Sequence, residues 1–105
     1  MKYHKLVRDR IPEIVRGQGK ICITEVLDEG QYLAMLDAKL EEELAEYRQD
    51  RNVEELADLL EVIYAAAAAR GYSREELESV RREKAEKRGG FDRRILLLEV
   101  RDPEE

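Results

Sequence analysis

The stretch LDAKLEEELAEYRQDRNVEELADLLEVIYAAAAA, residues 36–69, decides the fold of this chain. Because a helix turns about 100° per residue, Leu36, Leu40 and Leu44 fall on one face, and the second half of the stretch has a similar apolar arc. The polar segment QDRN, residues 49–52, separates the two halves. Short polar breaks of this kind join antiparallel helices, so we predict a helical hairpin.

Four acids lie where such helices normally turn towards a core. On the helical wheel Glu43 falls almost inside the first apolar arc and Glu55 inside the second. Glu46 and Asp58 lie at the edges of these arcs. With a rise of about 1.5 Å per residue, Glu46 and Glu55 stand about one turn from the bend. Glu43 and Asp58 stand about two turns from it. The hairpin is therefore predicted to hold two pairs of facing acids, Glu46 with Glu55 and Glu43 with Asp58.

Paired acids inside a hairpin need a counter-charge. Unpaired buried carboxylates cost several kcal/mol or stay protonated, and a divalent cation removes that cost. A ligand set of carboxylates alone, without Cys or His, favours Mg²⁺ or Mn²⁺ over zinc. We predict a metal site made of Glu43, Glu46, Glu55 and Asp58.

A purely structural interpretation of the same acids is also open. Asn52 and Glu55 have the spacing of a capping box, in which the Glu55 side chain reaches back to the N–H of the cap residue. Glu42 and Glu46 also fit a solvated helix surface. The pattern at any single acid does not choose between these alternatives.

Composition limits the class of protein. The 105 residues, 43% of them hydrophobic, predict one domain over residues 1–105 with a modest core that oligomerisation supplements. The net charge of −6 disfavours a general nucleic-acid binder. Cys22 is the single cysteine of the sequence, which excludes an intrachain disulfide and a cysteine-cluster metal site and fits a reducing compartment.

No membrane or targeting signal is expected. The start MKYHKLVRDR lacks the apolar core of a signal peptide. The apolar run that contains YAAAAA, residues 64–69, is too short to span a bilayer. We expect a cytoplasmic protein.

Capping and period signals predict the remaining elements. Pro12 suits the first turn of a short helix that Gly17 ends. Asp28 has capping-box spacing and starts a long helix over residues 29–49. A further helix is predicted over residues 74–88.

Two short apolar runs predict a minor β-sheet. The runs are KICITEV around Cys22 and ILLLEV around Leu97, and both have the composition of short strands. The overall prediction is a mainly α fold with a small sheet. Cys22 itself is most simply a small apolar filler, and His4 has no assigned role.

The helix over residues 74–88 has bases on the face that apolar residues normally occupy. Lys84 and Arg88 share that face with Leu77. One interpretation is that their stems pack on the core while their charged ends reach water. The other is that they hold a polyphosphate whose remaining oxygens bridge a metal ion.

Four motifs together resemble a known family. EELAE at residues 42–46 and EELADLLEV at residues 54–62 resemble the ExxE…ExxD signature of the MazG-like, all-α NTP pyrophosphohydrolase superfamily. KLVRDRIPEIV at residues 5–15 and RGGFDRRI at residues 88–95 resemble its small house-cleaning, phosphoribosyl-ATP pyrophosphohydrolase-like branch. The resemblance spans nearly the whole chain, and the ordered combination is more specific than ExxE alone.

The resemblance implies a chemistry and a set of residues. The activity implied is Mg²⁺-dependent hydrolysis of a nucleoside triphosphate between its α- and β-phosphates, which gives a monophosphate and pyrophosphate. Glu43 and Glu46 match ExxE, while Glu55 and Asp58 match ExxD, the metal-binding and catalytic acids. The candidates for binding the phosphates are Lys5, Arg8, Lys84 and Arg88. The superfamily also implies a helical bundle completed by a homodimer or higher homo-oligomer.

Two other classes of function fit the same residues. A helical dimerisation module would bind a divalent ion without turning over any nucleotide. A nucleotide sensor would be stabilised by nucleotide but would release no pyrophosphate. No motif identifies the base, although non-canonical nucleotides are the substrates that the resemblance favours.

Overall fold

The computed structural model describes residues 4–104, and this part of the chain contains four α-helices. They are α1 (Ile11–Gly17), α2 (Glu29–Asp50), α3 (Val53–Ala69) and α4 (Arg74–Arg88). The helices cover more than half of the chain, which confirms the prediction of a mainly α fold. None of the helices in the described part is long and apolar enough to cross a membrane.

Side-chain caps fix where the two long helices begin. At the start of α2, the Gln31 N–H donates to Asp28 Oδ1 at 2.8 Å and the Asp28 N–H donates to Gln31 Oε1 at 3.3 Å. This is the predicted capping box. At the start of α3, the Glu55 N–H donates to Asn52 Oδ1 at 3.0 Å. Both caps satisfy backbone donors that the first turn of a helix leaves free.

A short reversal joins α2 to α3. Arg51 caps α2 in the left-handed region with φ of 53°. Asn52 then returns to extended backbone with φ of −111° before α3 begins. The two helices pack against each other as the predicted hairpin.

The core of the hairpin is small. Among residues 4–104 only Leu36, 2% exposed, and Glu43, 6% exposed, are classed as buried. Leu44 and Leu56, which the helical wheel places in the core arcs, remain nearly half exposed. Much of the apolar surface of the hairpin is therefore open in the single chain.

The chain divides into two compact units, Met1–Arg74 and Glu75–Glu105. The first unit contains α1 and the α2–α3 hairpin. The second contains most of α4, whose exposed face has ion pairs such as Lys87 with Glu83 at 2.9 Å. Hydrogen bonds from Arg81 lower the pKa of Glu78 in the same helix. The prediction of one domain over residues 1–105 stays a prediction.

The predicted minor sheet is not seen, because residues 4–104 contain no strand. In the segment around Cys22, Ile21 and Ile23 are each more than nine-tenths exposed. In the segment around Leu97, Leu97 itself is three-quarters exposed. A β-branched or aliphatic run becomes a strand only when a neighbouring strand satisfies its backbone groups and covers one face. Neither segment has such a neighbour within the described residues.

Candidate metal centre

The hairpin brings three of the four predicted acids into one group. Glu43 of α2 lies beside Glu55 and Asp58 of α3, and one carboxylate oxygen from each lies within 4.8 Å of the other two. Mg²⁺ binds oxygen at about 2.0–2.1 Å, so opposite ligands of an octahedral ion stand about 4.2 Å apart. The oxygens are thus spaced closely enough to share one divalent ion after small side-chain movements.

The fourth predicted acid belongs to a second, overlapping group. Glu46 lies with Glu42 and Glu43, again with one oxygen of each within 4.8 Å of the others. Glu43 is common to both groups. Glu43 therefore links the two groups. The predicted pairing of Glu46 with Glu55 stays a prediction. Glu42 also belongs to this group, although its sequence position fits a solvated helix surface.

Two carboxylate oxygens in this cluster lack a partner. Glu43 Oε2 and Glu55 Oε2 are both buried, and neither has a hydrogen-bond partner within the part of the chain that the structure describes. A buried polar atom without a partner costs about 1–3 kcal/mol, and more when the group is charged. The cap of α3 uses the backbone N–H of Glu55, so it leaves the Oε2 atom of this side chain without a partner. A bound cation would satisfy both oxygens.

The environment of Glu43 disfavours its charged form. Burial raises the pKa of the Glu43 carboxyl above its ordinary value, while the hydrogen bond from Lys39 opposes the shift and repulsion from Glu46 adds to it. Without a metal ion, this carboxylate is therefore destabilised as an anion. That is the electrostatic condition that a divalent ligand relieves.

A lysine that the sequence analysis did not select lies in the cluster. Lys39 Nζ stands 3.3 Å from Glu42 Oε1 and 3.3 Å from Glu43 Oε1. Its side chain is 17% exposed. The signal was present in the sequence, because Lys39 precedes these acids by three and four residues, the separations that bring side chains together on a helix.

Two of the predicted phosphate-binding cations contact the acids. Arg8 Nη2 donates to Asp58 Oδ1 at 2.7 Å. Lys5 Nζ lies 3.5 Å from Glu42 Oε1. The N-terminal segment therefore places one cation on each helix of the hairpin, next to the acid cluster.

The other two predicted cations lie in the second unit. Lys84 and Arg88 line a surface pocket of about 230 Å³ together with Val80, Glu83 and Lys87. This confirms that the two bases share one face of α4. Their predicted part in substrate binding stays a prediction.

Comparison with known proteins gives one local similarity. An uncharacterized protein of Mycolicibacterium smegmatis is 52% identical to this chain over 44 residues. The alignment covers 42% of this chain and 45% of that protein, so it spans less than half of either. No family model matches the chain. No solved structure matches it either.

Proposed function

We propose that this protein is a Mg²⁺-dependent nucleoside triphosphate pyrophosphohydrolase that cleaves between the α- and β-phosphates and releases pyrophosphate. The observation that carries the proposal is the buried Glu43 carboxylate beside Glu55, since each residue has a buried Oε2 without a hydrogen-bond partner among the described residues. A structural ion-pair network would leave no buried carboxylate oxygens unsatisfied, whereas a cation site accounts for both.

The residues present fit a hard divalent ion. Glu43, Glu55 and Asp58 supply ligand oxygens from the two helices, and Glu46 extends the set through Glu43. An oxygen-only set suits Mg²⁺, and Mn²⁺ also fits it. When bound, the ion supplies Lewis-acid polarisation of the phosphoryl oxygens and lowers the pKa of the attacking water.

In this proposal the chain's own residues orient the site and bind the phosphates. The acids of α2 and α3 orient the site from two capped helices, which keeps the carboxylates in place. Besides Lys39, the first unit brings Lys5 and Arg8 into contact with the cluster, and these two are proposed to bind phosphate oxygens. Lys84 and Arg88 are proposed as further phosphate-binding groups.

The family assignment is part of the proposal. The ExxE and ExxD motifs that resemble the MazG-like superfamily are the residues that form the acid cluster. A cytoplasmic house-cleaning role, acting on non-canonical nucleotides, is the most specific function that this resemblance supports.

We also propose a homodimer or higher homo-oligomer. Four residues of α3, spaced so that they share one face, are each at least 36% exposed: Val53, Leu56, Leu60 and Ile63. A continuous apolar face of this kind on a small protein favours burial against a second copy.

A pyrophosphate-release screen over normal and damaged NTPs and dNTPs tests the proposed activity. We expect Mg²⁺-dependent release from at least one nucleotide, and loss of that release in Glu43→Gln. Glu41→Gln is the matched control, since Glu41 lies exposed on the same helix outside both acid groups.

The same screen separates the rival functions when melting temperature is also measured. A sensor would be stabilised by nucleotide without releasing pyrophosphate. A metal-binding dimerisation module would be stabilised by Mg²⁺ alone and would not respond to nucleotide. Either pattern would contradict the enzymatic proposal.

A further inference from the structure

The N-terminal segment of residues 5–8, here called the cationic arm, contacts both helices of the acidic hairpin. Lys5 reaches Glu42 of α2 at 3.5 Å, and Arg8 reaches Asp58 of α3 at 2.7 Å. The arm is anchored at its end, because the Ile11 N–H at the start of α1 donates to the Arg8 carbonyl at 3.0 Å. The arm therefore lies in a defined place beside the candidate metal ligands.

The contact between Arg8 and Asp58 uses a carboxylate that belongs to the ligand group. Asp58 contributes an oxygen to the group formed with Glu43 and Glu55. A guanidinium bound to this carboxylate and a divalent ion bound to the same group repel each other at short range. The two cations therefore compete for Asp58.

The exposure of the pair makes the exchange feasible. The Arg8 side chain is 56% exposed and that of Asp58 is 40% exposed. An ion pair in such a solvated position is weak and its partners separate readily. Glu43, by contrast, is held by the largely buried Lys39.

We propose that Arg8 exchanges partners, binding Asp58 when the site holds no metal ion and binding the polyphosphate of the substrate once the ion occupies the carboxylates. The proposal deepens and rests on the function proposed above. Metal binding frees the Arg8 guanidinium from Asp58, and its fork of donors suits phosphate oxygens in bidentate geometry. Metal ion and polyphosphate thus bind cooperatively, because the first releases the group that the second needs.

The exchange predicts opposite effects of one substitution on two ligands. In Arg8→Gln the competitor is gone, so Mn²⁺ alone should bind about two- to five-fold more tightly, the range expected for removing an exposed ion pair. The Mg²⁺ complex of inorganic tripolyphosphate should bind about ten-fold more weakly, because a charge-assisted phosphate contact is lost. A role confined to packing the arm would not produce effects of opposite sign.

The experiment measures both affinities by calorimetry on the full chain, for wild type, Arg8→Gln and the control Arg10→Gln. Arg10 is exposed and carries the same charge two residues further along, so it reports the effect of net charge alone. The exchange is supported if Arg8→Gln tightens Mn²⁺ and weakens tripolyphosphate relative to Arg10→Gln. Circular dichroism confirms that both variants keep their helical content.

Two other outcomes would contradict the exchange, and the second would also contradict the metal site. If Arg8→Gln and Arg10→Gln behave alike, or if Arg8→Gln weakens Mn²⁺, Arg8 does not compete for Asp58 and the exchange is wrong, while the proposed activity stands. If wild-type protein does not bind Mn²⁺ at all, the metal site and the proposed function fail, and the exchange fails with them.

Discussion

Glu43 is the residue on which the candidate site depends. It is buried within the hairpin, belongs to both acid groups, and has an oxygen without a partner in the described chain. Its wheel position, inside an apolar arc, was the feature that made the sequence unusual. A buried glutamate without a full set of partners destabilises the metal-free protein, and a bound cation would relieve that cost.

We expect Glu43→Gln to raise the melting temperature of the metal-free protein at neutral pH. The raised pKa of Glu43 means that its stabilising protonated form is fully present below the ordinary glutamate pKa of 4.5 and is lost as the pH rises through the folded-state pKa. The amount by which the melting temperature of Glu43→Gln exceeds that of wild type should therefore grow as the pH is raised from 4.5 towards neutrality.

Thermal melts in EDTA from pH 4 to pH 8 measure this effect, with Glu41→Gln as the control for charge. Added Mg²⁺ should stabilise wild type and Glu41→Gln but not Glu43→Gln. A wild-type protein that is more stable than Glu43→Gln at neutral pH without metal would show that the Lys39 contact outweighs the burial of Glu43.

At the scale of elements, the α2–α3 hairpin aligns the acids, and its geometry starts at the turn. Arg51 takes the left-handed conformation and Asn52 caps α3. Since Glu55 is in the first turn of α3, the cap fixes the backbone of a candidate ligand directly.

Asn52→Ala should lower the free energy of unfolding by about 0.5–2 kcal/mol, the usual cost of losing an N-cap side chain. Asn52→Asp should keep most of the stability, because its carboxylate also accepts from the Glu55 N–H and favours the positive end of the helix. Urea unfolding of both variants measures the difference. If Asn52→Ala has the same free energy of unfolding as wild type, the cap contributes nothing to the stability of the hairpin.

Local signals explain which elements the sequence could predict. The pairs at caps, such as Asp28 with Gln31, lie close in sequence, so both helix starts and the hairpin followed from spacing alone. The strands around Cys22 and Leu97 were predicted from composition, but a strand depends on a partner that composition does not identify. The contact of Arg8 with Asp58 joins residues 50 positions apart, so no local pattern could reveal it.

At the scale of the whole molecule, a large part of the apolar surface is exposed to solvent. In the single chain Leu36 is buried, while the α3 face formed by Val53, Leu56, Leu60 and Ile63 remains open. A chain of 12.3 kDa has little core of its own, and in the proposed homo-oligomer association with further copies would supply the missing burial.

Light scattering at micromolar concentration should therefore give at least twice the chain mass of 12.3 kDa. Leu60→Lys should shift the protein towards the monomer, because it places a charge in the centre of the apolar face. Glu54→Gln changes the net charge by the same amount without touching that face, so it should keep the oligomer. A wild-type monomer would contradict the proposed assembly.

In the proposed function, the acids of the hairpin bind a metal ion for cleavage between the α- and β-phosphates. Phosphorus NMR of the products formed from the nucleotide that scores highest in the screen tests it most directly, using wild type, Glu55→Gln and Asp58→Asn with and without Mg²⁺. We expect equal amounts of monophosphate and pyrophosphate from wild type with Mg²⁺, and a loss of turnover by orders of magnitude in both variants. Wild-type turnover in the two variants, or diphosphate and orthophosphate as the products, would contradict it.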